Sequence, residues 1–419
     1  TALLELLDDQ RFSRSVLPDE RKLSQVMVRR LKNDLVDADG NRIYPERRLE
    51  PLPVRLTDQE RRIRELLSTF ISSREKKSED VDDKVGAQKF IHELLRKRLA
   101  SSPRAFHVTL EKYASSVLGG RAPERRKKMD DRILRTKIAR TREDYSHDEL
   151  REEAEMEAVE EASNRIRPLS PEESTMLSEL REWAREASRG ADAKALAIID
   201  WIRDTLMVDG DWNEERVILF TEYRATQVWL QEILAGRDLG GDRLAMIHGG
   251  MQQDERNSIR QAFQYDPKFS PVRILLATDA ASEGIDLQNY CSRMIHIEIP
   301  YNPNVMEQRN GRIDRHGQRA NEVQILHPVN ADGALGDDIL RAIRKLDAMR
   351  ADMVTANFHA RHSALSRTYV YRILQGEGHE AFLATDLFHG AAHGKVHCVR
   401  SCLDAAAMQD AARVLLGTH

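Results

Sequence analysis

The chain has 419 residues, of which 41% are hydrophobic and 32% are charged, as in a globular protein of two or three domains. A formal net charge of −4 excludes a general attraction to nucleic acid, so any such binding must come from local patches. Three cysteines are too few for a disulfide framework, there is no signal peptide, and no apolar run approaches the ~18 residues of a membrane span. We therefore expect a cytoplasmic protein without a membrane partner. Because it starts at Thr1 rather than at methionine, we expect it to be part of something longer.

The first 190 residues predict a connector followed by a helical region. We assign residues 1–56, with eleven Lys and Arg against ten Asp and Glu, to a basic connector. It ends in YPERRLEPLPVRL, whose prolines and alternating apolar residues favour an extended segment. The sequence TDQERRIRELLSTFI then predicts a helix that starts with Thr57 as N-cap and Glu60 completing a capping box. The helical pattern resumes in AQKFIHELLRKRLASSPRAF, and we assign residues 57–190 to a helical protrusion.

A highly charged insert, residues 121–165, lies within this protrusion. Its first half is basic (RAPERRKK) and its second half is acidic (ELREEAEMEAVEEAS). One interpretation is a solvated helical hairpin or a partly disordered segment. The other is that the basic half contacts a nucleic-acid backbone.

Residues 191–330 predict an α/β domain. Five short apolar runs, RVILFT, RLAMIH, VRILLAT, RMIHIEI and EVQILHP, have the uninterrupted pattern of strands buried on both faces. Helical segments such as RATQVWLQEIL separate most of them, which indicates a parallel sheet covered by helices. Residues 331–419 begin with the helical pattern GDDILRAIRKLDAMRADMV and are expected to form a helical C-terminal extension.

Polar residues follow four of the predicted strands. Ligands of parallel sheets bind outside the carboxyl ends of the strands, and glycines beside short hydroxyl residues let backbone N–H groups approach phosphate oxygens. A single GG pair is more often a simple turn, but four such ends in order favour a ligand-binding edge. The residues at these ends are Thr221, Tyr223, Gly249, Gly250, Arg256, Thr278, Ser282, Glu283, Gly284 and Asp286.

The sequence EQRNGRIDRHGQ, residues 307–318, follows the fourth strand. If a helix runs through it, Arg312 and Arg315 are three positions apart and point to the same side, with Gly311 leaving room for a ligand. Two adjacent guanidinium groups are suited to a triphosphate. The structural alternative is that both arginines pair with local acids, such as Asp314 or Glu307, and only pin the helix.

Residues 216–328 resemble the second RecA-like lobe of superfamily-two helicases. VILFTEY resembles motif four of these proteins, ATDAASEGIDLQ resembles motif five, and QRNGRIDR resembles the Q-x-x-G-R-x-x-R of motif six. The resemblance implies that Arg312 and Arg315 are the paired arginine fingers that reach across a cleft to the triphosphate, beside Gln308 and Gly311. It also implies nucleotide or cleft contacts for Glu283, Gly284 and Asp286.

The same resemblance implies a nucleic-acid interface. Thr221, Gly249 and Thr278 match positions that hold the phosphate backbone, and we add Tyr223, Gly250, Arg256 and Ser282 as candidates at the same strand ends. Tyr223 could stack on a base, but packing is the simpler interpretation, because a protein that moves along a duplex mostly contacts backbone.

The flanking sequences are similar to Swi/Snf ATPases. VMVRRLKNDL and RLEPLPVRLTDQE resemble the family's segments around the protrusion, and RHGQ resembles the sequence after motif six. The variants EGIDLQ and RIDRHGQ resemble a bacterial branch that includes RNA-polymerase-recycling ATPases and phage-defence proteins. The implied partners are double-stranded DNA and a larger complex, such as RNA polymerase or a defence system.

An ATPase of this class also needs a G-x-x-x-x-G-K-[ST] loop and an acidic residue for Mg²⁺. The chain contains no such loop, and HDEL, residues 147–150, lies in a charged segment without a buried strand before it. We therefore expect ATP and Mg²⁺ to be held by a first RecA-like lobe outside this chain, and the chain alone to be inactive. The alternatives are a strand-separating DNA or RNA helicase, against which the RRLK segment argues, and a non-catalytic binding or regulatory lobe.

One further cluster carries possible metal ligands, namely His389, His393, His397, Cys398 and Cys402. It lacks a C-x-x-C pair, so chance clustering is the preferred interpretation over a zinc site, and we predict no metal site.

Overall fold

A computed structural model describes residues 42–76, 82–118, 148–163, 166–279, 285–300 and 303–331, together with residues 12, 39, 40 and 136. Every described residue except Phe12 lies within one compact unit, residues 30–365. The RRLK segment, most of the charged insert, the C-terminal extension and the His–Cys cluster lie outside the described residues.

Six parallel strands form the central sheet, namely β1 (Glu46–Val54), β4 (Val217–Thr221), β5 (Leu244–Ile247), β6 (Ile274–Thr278), β7 (Arg293–His296) and β8 (Glu322–Asn330). Their order across the sheet is β1-β8-β7-β4-β6-β5. A separate antiparallel pair joins β2 (Met207–Val208) to β3 (Asp211–Trp212). The five apolar runs are therefore strands of a parallel sheet, and the predicted α/β fold is confirmed.

The sixth strand, β1, comes from the segment that we placed in the basic connector. It pairs in parallel with β8, in the register Glu46↔Glu322, and lies at an edge of the sheet. Pro51 and Pro53 have no N–H to donate, and an edge strand tolerates them because its outer side pairs with no strand. The expected boundary at residue 56 was therefore wrong, since residues 46–54 are part of the sheet.

The described helices fall into two groups. The protrusion contains α1 (Asp58–Lys76), α2 (Asp82–Ser101), α3 (Pro103–Leu118), α4 (Asp148–Ser163) and α5 (Pro171–Ala187). The sheet is accompanied by α6 (Ala193–Leu206), α7 (Arg224–Ala235), α8 (Gln253–Gln264) and α9 (Pro303–Asn310), with a 3₁₀ turn at Gly241–Arg243. Within the part of the chain that the structure describes, none of the helices is long and apolar enough to cross a membrane.

Both faces of the sheet are buried, as the uninterrupted apolar runs predict. Leu219 and Leu276 belong to a core cluster on one face that includes Trp229 of α7. Phe220 belongs to the cluster on the other face, with Phe263 of α8. A third cluster joins the protrusion helices around Phe70, Leu95, Phe106, Tyr113 and Leu180.

The predicted capping box at the start of α1 is present. The Thr57 N–H donates to Glu60 Oε2 at 2.7 Å, and the Glu60 N–H donates to Thr57 Oγ1 at 3.2 Å. The other Glu60 oxygen accepts the Ala193 N–H, at the start of α6, at 2.9 Å. The cap therefore also connects the protrusion to the sheet domain.

The predicted helical segment 87–106 is interrupted once. Helix α2 ends at Ser101 and α3 begins at Pro103, a residue that suits the first position of a helix because it has no N–H to satisfy. The Ser102 hydroxyl caps α3 by accepting the Ala105 N–H at 3.0 Å.

Two histidines stack in the core between β7 and β8. The rings of His296 and His327 are 4.8 Å apart and nearly parallel, and both side chains are buried. Burial, with Arg309 nearby, lowers the pKa of His327 to about 4, and burial likewise lowers the pKa of His296 well below its usual value. Both rings are therefore neutral in the folded protein at neutral pH.

We predict that acid destabilises the protein through this pair. As pH falls, the unfolded chain protonates His327 near its ordinary pKa of 6.5, whereas the folded chain resists protonation until about 4. Stability is then lost between those pH values, by up to roughly 3 kcal/mol for this residue. Urea unfolding at several pH values should show that the free energy of unfolding falls less steeply with acid in His327→Leu than in the wild type. His316→Gln, at an exposed histidine, should keep the wild-type dependence on pH. The same dependence in wild type and His327→Leu would show that His327 is not the cause of the acid destabilisation.

Candidate functional site

The carboxyl ends of β4, β5 and β6 meet at one edge of the sheet. Thr221 and Thr278 are register partners at the ends of β4 and β6, and Ile247, two residues before Gly249, is paired with Ala277. Parallel pairing therefore brings the predicted phosphate-binding residues Thr221, Gly249 and Thr278 to the same edge, which we call the ligand edge.

A buried carboxylate that the motifs did not indicate organises one end of the ligand edge. Glu298 follows β7 and accepts hydrogen bonds from Thr221 Oγ1 and Ser101 Oγ, each at 3.0 Å, and from the Glu222 N–H. Burial raises its pKa. The Thr221 hydroxyl is thus already engaged inside the protein. The sequence signal that could have indicated Glu298 was an acidic residue within the mainly apolar run RMIHIEI.

A second carboxylate occupies the centre of the ligand edge. Asp148, the first residue of α4, accepts the Gly249 N–H at 2.7 Å and the Thr278 hydroxyl at 2.6 Å through the same oxygen, Oδ2. Its residue exposure is 1%, and Thr278 is fully buried. Sequence reasoning set HDEL aside because it lies in a charged segment without a buried strand before it, and no local pattern relates Asp148 to Gly249, 101 residues away. The donors predicted to bind phosphate therefore bind an oxyanion of this chain.

The remaining nucleic-acid candidates differ in accessibility. Tyr223 is buried, with the Arg98 guanidinium 3.9 Å from its ring centroid, so its ring is packed within the protein. Gly250 is exposed and has φ +89°, which explains why glycine is suited to this turn. Arg256 is half-buried in the first turn of α8. Ser282 lies outside the described residues.

The arginines of QRNGRIDR do not lie on one helix. Helix α9 ends at Asn310, so Gly311 follows it, and Arg312 and Arg315 lie in the turns beyond. The expectation of a helical face carrying both was wrong, because the Gly311 N–H makes the last i→i−4 bond of the helix, and the N–H groups of Arg312 and Ile313 donate instead to carbonyls three residues back. Gln308 is half-buried in the last turn of α9.

Arg312 and Arg315 instead converge on two consecutive residues after β6. Arg312 Nη1 donates to the Ile285 carbonyl at 3.2 Å, and Arg315 forms an ion pair with Asp286. The side chains of that pair are 48% and 47% exposed. Asp286 is thus placed beside the arginines as predicted, while Glu283 and Gly284 lie outside the described residues.

The local acids pair with a different arginine. Arg47 of β1 donates from Nε to Asp314 Oδ2 at 2.9 Å and from Nη1 to Glu307 Oε1 at 2.6 Å. Arg47 therefore binds both of the acids that were named as alternative partners, and Arg315 pairs with Asp286. The edge strand β1 supplies the cation, and this leaves Arg312 and Arg315 directed to the segment after β6.

A further arginine in the same sequence is structural. Arg309 is fully buried and donates from Nε and Nη2 to both oxygens of Asp279, at 2.5 and 2.8 Å. The same guanidinium lies 3.6 Å from Glu298. This fork-like pair ties α9 to the end of β6. Among the described residues, no group of three or more His, Cys, Asp or Glu is arranged to hold a metal ion.

The sequence model of the family described as "Helicase conserved C-terminal domain" matches residues 199–317. These residues form a helicase C-terminal domain. The match runs from α6 to Gly317, so the domain includes the ligand edge and both candidate finger arginines.

Two curated relatives of this helicase domain are similar over short stretches. The uncharacterized ATP-dependent helicase YqhH of Bacillus subtilis is 35% identical over 127 residues, which are 30% of this chain and 20% of the relative. The RNA polymerase-associated protein RapA of Sodalis glossinidius is 32% identical over 130 residues, 31% of this chain and 12% of the relative. The chain thus spans a fifth or less of these relatives. The predicted C-terminal helicase lobe is confirmed by the family match over residues 199–317, and RapA is among the similar relatives, as the sequence predicted.

Two solved structures of ATPase domains show weak similarity to this chain. The Sulfolobus solfataricus SWI2/SNF2 ATPase core in complex with dsDNA is 16% identical, with a TM-score of 0.39, and the match covers 81% of this chain and 52% of that one. The C-terminal part of the Fun30 ATPase domain is 17% identical, with a TM-score of 0.37, over 69% of this chain and 87% of that one. Scores below 0.5 are too low to transfer individual residue positions.

We predict that Arg309 in the helicase domain acts through stability. Arg309→Met leaves the Asp279 carboxylate without the guanidinium that binds both of its oxygens, and removing one partner of a buried pair costs about 3–5 kcal/mol. Arg309→Lys should recover little, because an ammonium cannot make the fork. Urea unfolding measures both, and Arg237→Met, at an exposed arginine after α7, is the matched control. A loss below about 1 kcal/mol in Arg309→Met would show that the pair is dispensable.

Proposed function

We propose that this chain is the C-terminal motor lobe of an ATP-dependent, Swi/Snf-type DNA translocase. The observation that carries the proposal is the placement of Arg312 and Arg315, whose side chains both contact the dipeptide Ile285–Asp286 after β6. The pair with Asp286 is about half exposed, and exposed ion pairs contribute only about 0–1 kcal/mol. A triphosphate oxygen can therefore replace Asp286 as the partner of Arg315 at little cost.

The two arginines fit the role of fingers toward a nucleotide held elsewhere. A guanidinium presents a planar fork of donors that matches phosphate oxygens, and a finger stabilises charge on the transferring phosphoryl group, an effect of about 10³–10⁵ in rate. We expect ATP and its Mg²⁺ to be held mainly by a first RecA-like lobe, since this chain contains no G-x-x-x-x-G-K-[ST] sequence.

The ligand edge supports the nucleic-acid part of the proposal. The Gly249 N–H and the Thr278 hydroxyl converge on one oxyanion, which is the arrangement that a backbone phosphate requires. We propose duplex DNA as the substrate class. Because one relative is named RNA polymerase-associated, RNA polymerase is a partner that we propose to test in a pull-down with the full-length protein.

The fingers are tested in the full-length protein that contains both lobes. Arg312→Ala and Arg315→Ala should each lower DNA-stimulated ATP hydrolysis by at least ~10²-fold, because the lost contact forms mainly in the transition state. Arg312→Lys and Arg315→Lys should retain little of this activity, because an ammonium group cannot reproduce the planar fork of donors. Arg319→Ala, at a nearby exposed arginine, is the control for loss of a positive charge.

Melting temperatures of the same samples separate the finger role from a structural one. Finger variants keep the wild-type melting temperature and DNA affinity. A destabilised variant with near-normal turnover per folded molecule would sink the assignment. If the full-length protein has no nucleotide turnover at all, the non-catalytic alternative stands.

DNA binding by the chain should come from phosphate contacts. Affinity should fall linearly with the logarithm of salt concentration and should not depend on sequence. Arg256→Glu, near the ligand edge, should weaken binding to all duplexes alike. Arg237→Glu is the control, because it follows α7 and so lies toward the opposite, amino-terminal edge of the strands. Fluorescence anisotropy with labelled duplexes measures this, and a clear preference for single-stranded RNA would instead support an RNA helicase.

A further inference from the structure

Asp148 occupies the position that the proposed function gives to a DNA phosphate. Its Oδ2 accepts both donors of the ligand edge, the Gly249 N–H at 2.7 Å and the Thr278 hydroxyl at 2.6 Å. A carboxylate and a phosphate share the features that such donors recognise, namely negative charge and acceptor oxygens. Both ligands cannot use the same two donors at the same time.

Only one of the two Asp148 carboxylate oxygens is hydrogen-bonded within the described residues. Oδ1 is buried and has no hydrogen-bond partner among the described residues. Leaving a buried charged acceptor unsatisfied is costly. A bound phosphate, whose other oxygens point to solvent, does not carry this cost.

The helix behind Asp148 is strongly anionic. Helix α4 has 16 residues, among which are eight acidic side chains and one arginine. Glu149, Glu153 and Glu157 are exposed. The negative charge beside the ligand edge therefore repels a polyanion as long as α4 stays in place.

The two halves of α4 are held differently. Its second half is anchored in the protrusion, where Val159 and Ala162 belong to the apolar core and Lys112 pairs with Glu160. Arg98 of α2 binds Glu155 in the middle of the helix.

The first half of α4 meets the sheet domain through polar contacts. Besides those of Asp148, the described contacts include the Ala225 N–H to Glu152 at 3.4 Å, the Arg151–Glu222 pair at 4.0 Å, and the Arg151 guanidinium 5.8 Å from the Tyr223 ring centroid. The Asp148 hydrogen bonds are the shortest of these contacts. Polar contacts of this kind are exchanged for water or for another anion more readily than an apolar interface is.

We propose that α4 is an autoinhibitory segment, in which Asp148 fills the phosphate site of the ligand edge and must be displaced before duplex DNA can bind there. This inference rests on the proposed role of Gly249 and Thr278 as phosphate contacts. It explains why an acidic helix, which DNA repels, lies against the edge that the motifs assign to DNA.

The test compares DNA affinities of folded variants of the 419-residue chain at fixed salt. Asp148→Ala removes the competing oxyanion and should tighten binding of a labelled duplex by at least ~10-fold, as expected when a charge-assisted competitor is lost. Asp148→Asn keeps the shape and one acceptor oxygen, and it should tighten binding less. Glu149→Gln is the matched control, since it removes the same charge from the neighbouring exposed residue and should change affinity by less than ~2-fold.

A second measurement does not depend on any substitution. Amide hydrogen exchange of residues 152–155 in the wild-type chain should speed up when duplex DNA is added, because DNA displaces the first half of α4 and their N–H groups donate to the carbonyls of its first turn. Exchange of residues 156–163, which are anchored in the protrusion, should change less. Unchanged exchange at saturating DNA would overturn the proposal, even if the Asp148 variants fail to fold.

The design separates this inference from the proposed function. Thr278→Val is made in the Asp148→Ala background, where the hydroxyl no longer has its internal partner. If Thr278→Val weakens binding there while Asp148→Ala alone binds like the wild type, autoinhibition is wrong and the phosphate site stands. If Thr278→Val has no effect in that background, the phosphate site itself is wrong, and the inference falls with it.

Discussion

The buried pair between Arg309 and Asp279 fixes the geometry of the whole site. Asp279 directly follows Thr278 at the end of β6, and Arg309 lies in the last turn of α9, just before the turns that carry Arg312 and Arg315. One fork-like contact therefore sets the position of the candidate fingers relative to the ligand edge. The arginine also lies 5.6 Å from the Phe220 ring, so its desolvation is partly offset by contact with an aromatic face.

A network of paired charges surrounds this contact and joins the protrusion to the sheet domain. Lys194 of α6 donates to the carbonyls of Ala100, Ser101 and Ile297, and Ser101 also donates to Glu298. Burial lowers the pKa of Lys194 and raises the pKa of Glu298, which means that burial disfavours the charged form of each group. The attraction between the two opposite charges partly offsets this cost. Complementary polar groups, and not apolar contacts alone, therefore fix how the protrusion packs against the sheet domain.

Sequence reasoning located the strands and the ligand edge because their signals are local. A short uninterrupted run such as VILFT, rich in β-branched and aromatic residues, favours a buried strand, and parallel pairing then brings Thr221 and Thr278 together. The same reasoning could not find Asp148 or Arg47, because their partners are 101 and more than 250 residues away and no local pattern connects them.

The error at Gly311 has a different cause. The spacing of Arg312 and Arg315 fits one helical face, but spacing cannot say where a helix ends. The helix ends at Asn310, and Arg312 and Arg315 are placed by the tertiary contacts to Ile285 and Asp286 instead. Glu298 was missed because a single acid at the end of an apolar run has no motif, although its three donors make it central to the edge.

The magnitudes of the contacts indicate which parts of the site can move. Breaking a buried pair such as Arg309–Asp279 costs about 3–5 kcal/mol, whereas a half-exposed pair such as Arg315–Asp286 contributes about 0–1 kcal/mol. Nucleotide binding can therefore redirect Arg315 without disturbing Arg309. Because Asp279 adjoins Thr278, a displacement of α9 that keeps the rigid pair intact must also move the end of β6. The Thr278 hydroxyl, which we propose as a phosphate contact, and the candidate fingers then belong to one rigid element, and the exposed guanidinium of Arg315 is its adjustable part.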